Sequence, residues 1–178
     1  MPPREPSPPL TAGPQGGTLW WGEERMLVLS AEALCELQRG AESQGERFAT
    51  ELVSAAGFSM GQGIARRLQH PQRDAQALAA AYVQVLSSLG MGVPSIVRMN
   101  LQERVLEVEV QGSPFAATFA RAEGPSCPFW RGLVTGLAEV LFGVGVAGEE
   151  IACVAVGAER CSFRSKGTTV AEEGGWSW

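Results

Sequence analysis

Apolar residues recur every three to four positions through the first half of the chain, which is the spacing of amphipathic helices. This pattern predicts four helices, over residues 30–39, 41–56, 59–68 and 71–89. Gly57 is expected to end the second helix, Ser59 to cap the third, and Pro71 to occupy the first turn of the fourth. We expect these helices to pack together as one layer.

The second half of the chain changes to the two-residue period of strands. Another amphipathic helix begins at Pro128 and ends at Gly143, and a hairpin is expected around Gly157. Helices that precede strands, with one helix crossing between strand pairs, predict an α+β fold rather than a doubly wound parallel sheet. In this fold an N-terminal helical layer packs on an antiparallel sheet. Four strands are predicted, over residues 95–101, 104–110, 151–156 and 160–165.

The length of 178 residues suits one domain flanked by short tails. Six of the 11 prolines fall within the first 14 residues, and this composition favours extended, solvated backbone. We therefore predict a Pro/Gly-rich tail over residues 1–17 and a single domain over residues 18–170. A second tail is predicted over residues 171–178, where two glycines interrupt any regular element.

The charge and the apolar stretches of the chain exclude several classes of function. The net charge is −5 and no run of Lys and Arg is present, so nucleic acid is not the expected partner. No apolar stretch reaches the ~18 residues that cross a bilayer and no signal-peptide pattern begins the chain, which predicts a cytoplasmic protein. Only 19% of the residues are charged, so we expect apolar surface that pairs with a second copy or a related subunit.

Three of the four cysteines and one glutamate form a candidate metal site. In a hairpin centred on Gly157, Cys153 and Cys161 lie opposite each other, with their Cβ atoms about 4.5–5.5 Å apart. Glu150 precedes this pair, and Cys127 lies in the loop before the last helix. Three thiolates and one carboxylate are a plausible ligand set for zinc.

Two other interpretations of the cysteines stay open at this point. Free cysteine is often a small buried core residue, and a disulfide between Cys153 and Cys161 would also be possible across a hairpin. Cys35 lies in an N-terminal helix, far along the chain from the others, and we expect it to be a core residue.

Residues 127–163 resemble the V4R (4-vinyl reductase) domain. This segment reads CPFWRGLVTGLAEVLFGVGVAGEEIACVAVGAERCSF, with a Cys, a helix that contains Gly132 and Gly136, then Glu-x-x-Cys and a final Cys-x-Phe. The earlier segment GERFATELVSAAGFSMGQGIARRL, residues 45–68, is similar to the first half of the family. The resemblance extends over about residues 27–166, and its second half is the more specific part.

The resemblance implies a metal, a fold and a partner. Phenol-binding V4R sensor domains hold zinc with Cys, Glu, Cys and Cys, and the matching residues here are Cys127, Glu150, Cys153 and Cys161. V4R domains are similar in fold to Bet3, a subunit of the TRAPP vesicle-tethering complex, with a buried apolar pocket and a tendency to dimerise. Where phenol sensors place polar and aromatic residues, this chain has Leu78 and Leu106.

The expected pocket lies between the helical layer and the sheet. Its apolar side chains either enclose a cavity for an apolar or aromatic molecule or simply fill one another's space; the resemblance favours the cavity. The helical side would contribute Phe48, Leu52, Leu78, Tyr82 and Leu86, and the strand side Leu106, Val108 and Val110.

The sequence favours a binding protein over an enzyme. Gly143, Gly145 and Gly148 spell G-x-G-x-x-G but follow a helix, the reverse of the order in dinucleotide-binding folds. His70, the single histidine, precedes Pro71 and is expected in a surface turn. The leading hypothesis is a zinc-stabilised V4R module for an apolar or aromatic ligand. The alternatives are a Bet3-like assembly subunit and an accessory protein of bacteriochlorophyll synthesis.

Overall fold

The structure is a computed structural model that describes residues 10–13, 16–22, 24–118, 124 and 126–168. The N-terminal part contains three short strands and three helices, and the C-terminal part contains a sheet and two further helices. In chain order these elements are β1 (Leu10–Ala12), β2 (Leu19–Trp21), β3 (Glu24–Met26), α1 (Ala31–Glu42), α2 (Glu46–Leu68), α3 (Ala75–Ser88), β4 (Val93–Asn100), β5 (Val105–Gln111), α4 (Pro114–Thr118), α5 (Pro128–Phe142), β6 (Val146–Ala152) and β7 (Cys161–Gly167).

Four of the strands form an antiparallel sheet in the order β4-β5-β7-β6. Helix α5 crosses from β5 to β6 and packs on β6 and β7, while α3 packs on β4. The α+β fold with a helical layer on an antiparallel sheet is therefore confirmed. No helix in the described part of the chain is both long and apolar enough to cross a lipid bilayer.

Helix α2 runs without interruption through Gly57 and Ser59, so the predicted stop and cap at these residues are wrong. The glycines serve close packing instead. A Cβ atom at Gly57 would lie 2.1 Å from the carbonyl oxygen of Phe129 in α5, and one at Gly61 would lie 2.5 Å from that of Leu133. The backbones of α2 and α5 are thus in direct contact, and this tertiary contact outweighs the weak helix propensity of glycine.

Helices α1 and α3 each begin at a side chain that caps the first turn. Ser30 caps α1 as predicted, since its side chain accepts a hydrogen bond from the backbone N–H of Ala33. Pro71 lies in a turn before α3, which begins at Ala75, so its predicted place in the first helical turn is wrong. Asp74 is the cap of α3, because its carboxylate accepts from the N–H of Ala77 at 2.8 Å.

The ends of the chain differ in part from the predicted tails. Strand β1, Leu10–Ala12, lies within the predicted tail of residues 1–17 and pairs with β2 in a separate three-stranded sheet. The predicted tail over residues 171–178 lies outside the described residues.

The core buries most of the side chains expected to line a pocket. Two expected members are exposed: Phe48 by 52% and Leu52 by 51%, so their predicted place against the sheet is wrong. They lie one helical turn apart on the outer side of α2, because the inner side presents small residues such as Gly57 and Gly61 to α5. The buried members are Leu78, Tyr82, Leu86, Leu106, Val108 and Val110.

Candidate metal centre

Four potential metal ligands converge where the start of α5 meets the end of β6. Cys127 directly precedes α5, Glu150 lies in β6, Cys153 follows β6, and Cys161 begins β7. One ligand atom from each residue lies within 4.8 Å of every other, and the three cysteines are fully buried. The four residues chosen from the sequence are therefore brought together and could hold a metal ion.

The chain reaches this arrangement by a different local structure from the predicted hairpin. Residues Val154–Val156 form a single 3-10 turn rather than a strand, and Gly157 follows it with a φ of 98°. The last pair of the β6–β7 ladder, Ala152 with Ser162, has the register of the predicted hairpin, in which the next two residues to face each other are Cys153 and Cys161. The 3-10 turn folds the chain back just after Cys153.

The sulfur positions suit a tetrahedral metal. Cys127 Sγ lies 3.8 Å from Cys161 Sγ and 4.0 Å from Cys153 Sγ, and all the cysteines are free thiols. Metal–sulfur bonds of about 2.3 Å in a tetrahedron give sulfur–sulfur edges of about 3.8 Å. The observed separations therefore match the edges of such a site.

A second layer of polar groups surrounds the ligands. The backbone N–H of Cys127 donates to Glu150 Oε2 at 3.0 Å, and the N–H of Val154 donates to Cys161 Sγ at 3.5 Å. The hydroxyls of Ser113 and Ser126 lie 3.6 Å from the sulfurs of Cys127 and Cys153, respectively. Each ligand thus has a polar neighbour that orients it, as outer groups do at metal sites.

One carboxylate oxygen at the centre has no protein partner. Glu150 Oε1 is buried and makes no hydrogen bond, although Oε2 is bonded to the loop. A buried oxygen without a partner is costly, and a cation bound by this oxygen and the three sulfurs would remove the cost. The orphan oxygen and the donor set therefore both fit a metal.

Without a cation the cluster does not hold four negative charges. Burial raises the pKa of Glu150 and of Cys153, and the hydrogen bond to Cys161 raises the pKa of Cys127. The same hydrogen bond lowers the pKa of Cys161 to about 7. Metal binding must therefore displace protons from this site.

The two remaining predictions about single residues are confirmed. Cys35 is fully buried in α1 and belongs to the hydrophobic core rather than to the metal-ligand cluster. His70 is exposed in the segment before α3, where its Nδ1 accepts from the backbone N–H of Gln72.

Sequence reasoning missed three residues near the centre. Ser126 adjoins Cys127 in the chain, which is a signal that could have been used, whereas Ser113 is brought close only by the fold. Gln38 of α1 also reaches the ligand loop, because its side-chain amide donates to the carbonyl oxygen of Ser126 at 3.4 Å.

Family models match both halves of the chain. A family model described as activator of aromatic catabolism matches residues 8–102. The chain belongs to this family. The V4R domain matches residues 106–166, which confirms the predicted family and includes all four candidate ligands. No curated protein matches the sequence.

Solved structures share the fold at low sequence identity. One is the phenol-responsive sensory domain of the transcription activator PoxR with phenol, at 22% identity and a TM-score of 0.79, covering 93% of this chain and 88% of that chain. Another is trafficking protein particle complex subunit 3 from Naegleria fowleri, covalently bound to palmitic acid, at 12% identity and a TM-score of 0.55, covering 78% and 95%. These matches confirm the expected relation to V4R and Bet3-like folds.

Proposed function

We propose that this protein is a zinc-stabilised sensory module that binds a small aromatic molecule. The observation that carries the proposal is the match of residues 8–102 to activators of aromatic catabolism. The fold of a phenol-responsive sensory domain over most of the chain supports the same function. Both comparisons favour an aromatic ligand over the other apolar molecules.

The donor set supports zinc as the metal. Three sulfurs and one carboxylate oxygen within 4.8 Å of one another match the soft and borderline ligands that zinc takes in closed sites. Four protein ligands leave no position for water or substrate, so the role is structural. Bound there, zinc would join the loop before α5 to the β6–β7 connection. Elemental analysis of protein purified without chelator should find one zinc per chain, and a metal-free folded protein would contradict this.

The buried layer between α3 and the sheet is the proposed ligand site. Leu78, Tyr82 and Leu86 of α3 are buried, and so are Leu106 and Val108 of β5. This lining is almost wholly apolar, so most of the affinity would come from burial and shape. A separate open groove of about 420 Å³ lies between α3 and β4.

A thermal-shift titration of the zinc-loaded chain tests ligand binding. Phenol, toluene and catechol are the aromatic probes, and cyclohexanol and decanoic acid are the controls. Binding to the native state should raise Tm with the logarithm of ligand concentration above Kd, while zinc stays bound. Equal or absent responses to aromatic and non-aromatic compounds would refute an aromatic-ligand function.

We also infer self-association through exposed apolar residues of the segment before α1 and of helices α1 and α2. Leu27 and Val28 are exposed by 78% and 75%, and Leu37 by 66%. Phe48 and Leu52 extend this apolar character along the outer side of α2. Exposed apolar residues in such numbers are typical of protein contacts, which supports a homodimer or a related partner subunit. Light scattering should report a dimer, and the Phe48→Ser/Leu52→Ser variant should weaken it; a monomer at high micromolar concentration would contradict it.

A further inference from the structure

Trp130 carries a buried hydrogen-bond donor that has no acceptor. It lies in the first turn of α5 with no exposed surface, and its Nε1 makes no hydrogen bond. Among the side chains that the structure describes, it is the one buried donor in this state. Tyr82, by contrast, donates its hydroxyl proton to the carbonyl oxygen of Leu133 at 2.8 Å.

The indole ring lies over the sheet beside the proposed ligand layer. It stacks on Phe163 of β7, with ring centroids 6.1 Å apart and planes 21° apart. Phe163 pairs in the sheet with Val108 of β5, one of the side chains expected to line the pocket. Trp130 was not among the expected pocket residues, yet it belongs to the same buried cluster as Tyr82 and Leu106.

The indole ring is closely packed, since it has no exposed surface and stacks on Phe163. Cys127, a candidate metal ligand, precedes Trp130 by three residues, and Cys161 precedes Phe163 by two residues in β7. Both members of the stacked pair therefore lie close to the metal centre along the chain. A donor on such a constrained ring cannot easily turn toward a distant acceptor, so its partner must come to it.

The free N–H is costly unless an acceptor is supplied. In water an indole N–H is hydrogen-bonded, and burial without a partner loses that bond. A phenylalanine would stack on Phe163 without this cost. An oxygen atom on a molecule bound in the apolar layer would satisfy the N–H, and apolar surroundings strengthen such a bond.

We propose that Trp130 is a specificity-determining residue whose Nε1–H donates to an oxygen atom on the aromatic ligand. This inference rests on the proposed function and narrows the ligand to aromatic molecules with an oxygen acceptor, such as phenols. An aromatic hydrocarbon of the same shape would bury the same surface but leave the N–H unpaired. The site would therefore discriminate between phenol and toluene.

Titration of the full zinc-loaded chain, with ¹⁵N-labelled tryptophan, tests the proposal. In NMR spectra, phenol should move the Trp130 indole N–H proton signal downfield, as a new hydrogen bond does. Toluene should not cause this downfield shift. The Trp20 indole, which already donates to Thr18 Oγ1 at 3.1 Å, is the internal control and should not move. The Trp130→Phe variant assigns the resonance by its disappearance.

Calorimetry gives the matching affinities. The wild-type chain should bind phenol about tenfold more tightly than toluene, as expected for one hydrogen bond to a buried donor. Trp130→Phe should lose this preference through weaker phenol binding, and Trp20→Phe should keep it. Zinc content reports whether each variant has folded. If Trp130→Phe fails to fold, the wild-type preference for phenol over toluene still decides the question.

Two different failures can be told apart. Equal affinities for phenol and toluene, or phenol binding without a change at the Trp130 indole, would overturn the role of Trp130 and leave the aromatic-binding function standing. Failure of both probes and of catechol to bind the folded, zinc-loaded chain would overturn the proposed function and this inference together.

Discussion

The substitution Gly61→Ala should destabilise the protein, although alanine is the better helix former. A Cβ atom at residue 61 would lie 2.5 Å from the carbonyl oxygen of Leu133, 2.8 Å from the Tyr82 hydroxyl and 2.9 Å from Leu133 Cα. Ordinary contact begins near 3.4 Å, so α2 and α5 would have to separate by about 0.9 Å. The Tyr82 to Leu133 hydrogen bond lies at the same place and would be strained as well.

The expected loss of stability is the sum of free-energy contributions of opposite sign. Overpacking of a tight contact costs about 1–3 kcal/mol, and weakening one buried hydrogen bond adds about 1 kcal/mol. Replacing a glycine inside a helix returns about 0.5–1 kcal/mol. The net destabilisation should be about 2 kcal/mol, which corresponds to a fall in Tm of roughly 4–8 °C for a chain of this size.

Gly63→Ala is the matched control because residue 63 lies on the same helix, two positions along the chain. Its added Cβ would meet only the flexible end of Arg67, at 3.4 Å. This variant should gain about 0.5–1 kcal/mol from helix propensity alone. Denaturation followed by circular dichroism, with zinc content measured in parallel, compares the two. If Gly61→Ala proves as stable as Gly63→Ala, the proposed backbone contact between α2 and α5 is not present in solution.

Three further predictions concern the metal centre and the core. Cys153→Ser should lose the metal and become unstable, whereas Cys35→Ser should keep full metal content, as elemental analysis can establish. Ser126→Ala should retain one metal per chain but bind it about 10-fold more weakly in a chelator competition, because Cys153 loses a polar neighbour. Burial raises the pKa of Tyr82, the single tyrosine, so the unfolded state releases this proton first and stability should fall above pH ~10. Tyrosinate absorbance should then appear only with unfolding; its appearance in the folded protein would contradict this.

The parts of the fold that depend on local signals could be predicted from the sequence. The cap at Ser30 and the end of α5 at Gly143, where φ is 66°, both follow from residues adjacent in the chain. The break expected at Gly57 fails because the cause of that glycine lies in α5, more than seventy residues away. A glycine that permits close packing and a glycine that ends a helix look alike in a single sequence.

In the candidate site, too, some features could be predicted from the sequence and others could not. The four ligands could be selected from residue type and spacing together with the resemblance to the V4R domain, because the cysteines alone left a buried-core role and a disulfide open. The local backbone could not be predicted, because the sheet register shifts between Glu150 and Ala152 and residues 154–156 form a 3-10 turn instead of continuing the strand. The pocket was least predictable: Phe48 and Leu52 have the right hydrophobicity, but only the packing of α2 reveals that they face outward.

Helix α5 connects the candidate metal centre, the Trp130 indole and the close packing against α2. Its start follows Cys127, its first turn carries Trp130, and its glycines at 132 and 136 admit the backbone of α2. A metal that fixes Cys127 therefore also limits the rotation of α5 about its axis, and the contact with α2 limits its displacement. Together these constraints would hold the indole N–H in one direction, as the proposed binding of an oxygen-bearing aromatic molecule requires. Loosening either constraint should reduce the preference for phenol over toluene before it abolishes binding of both.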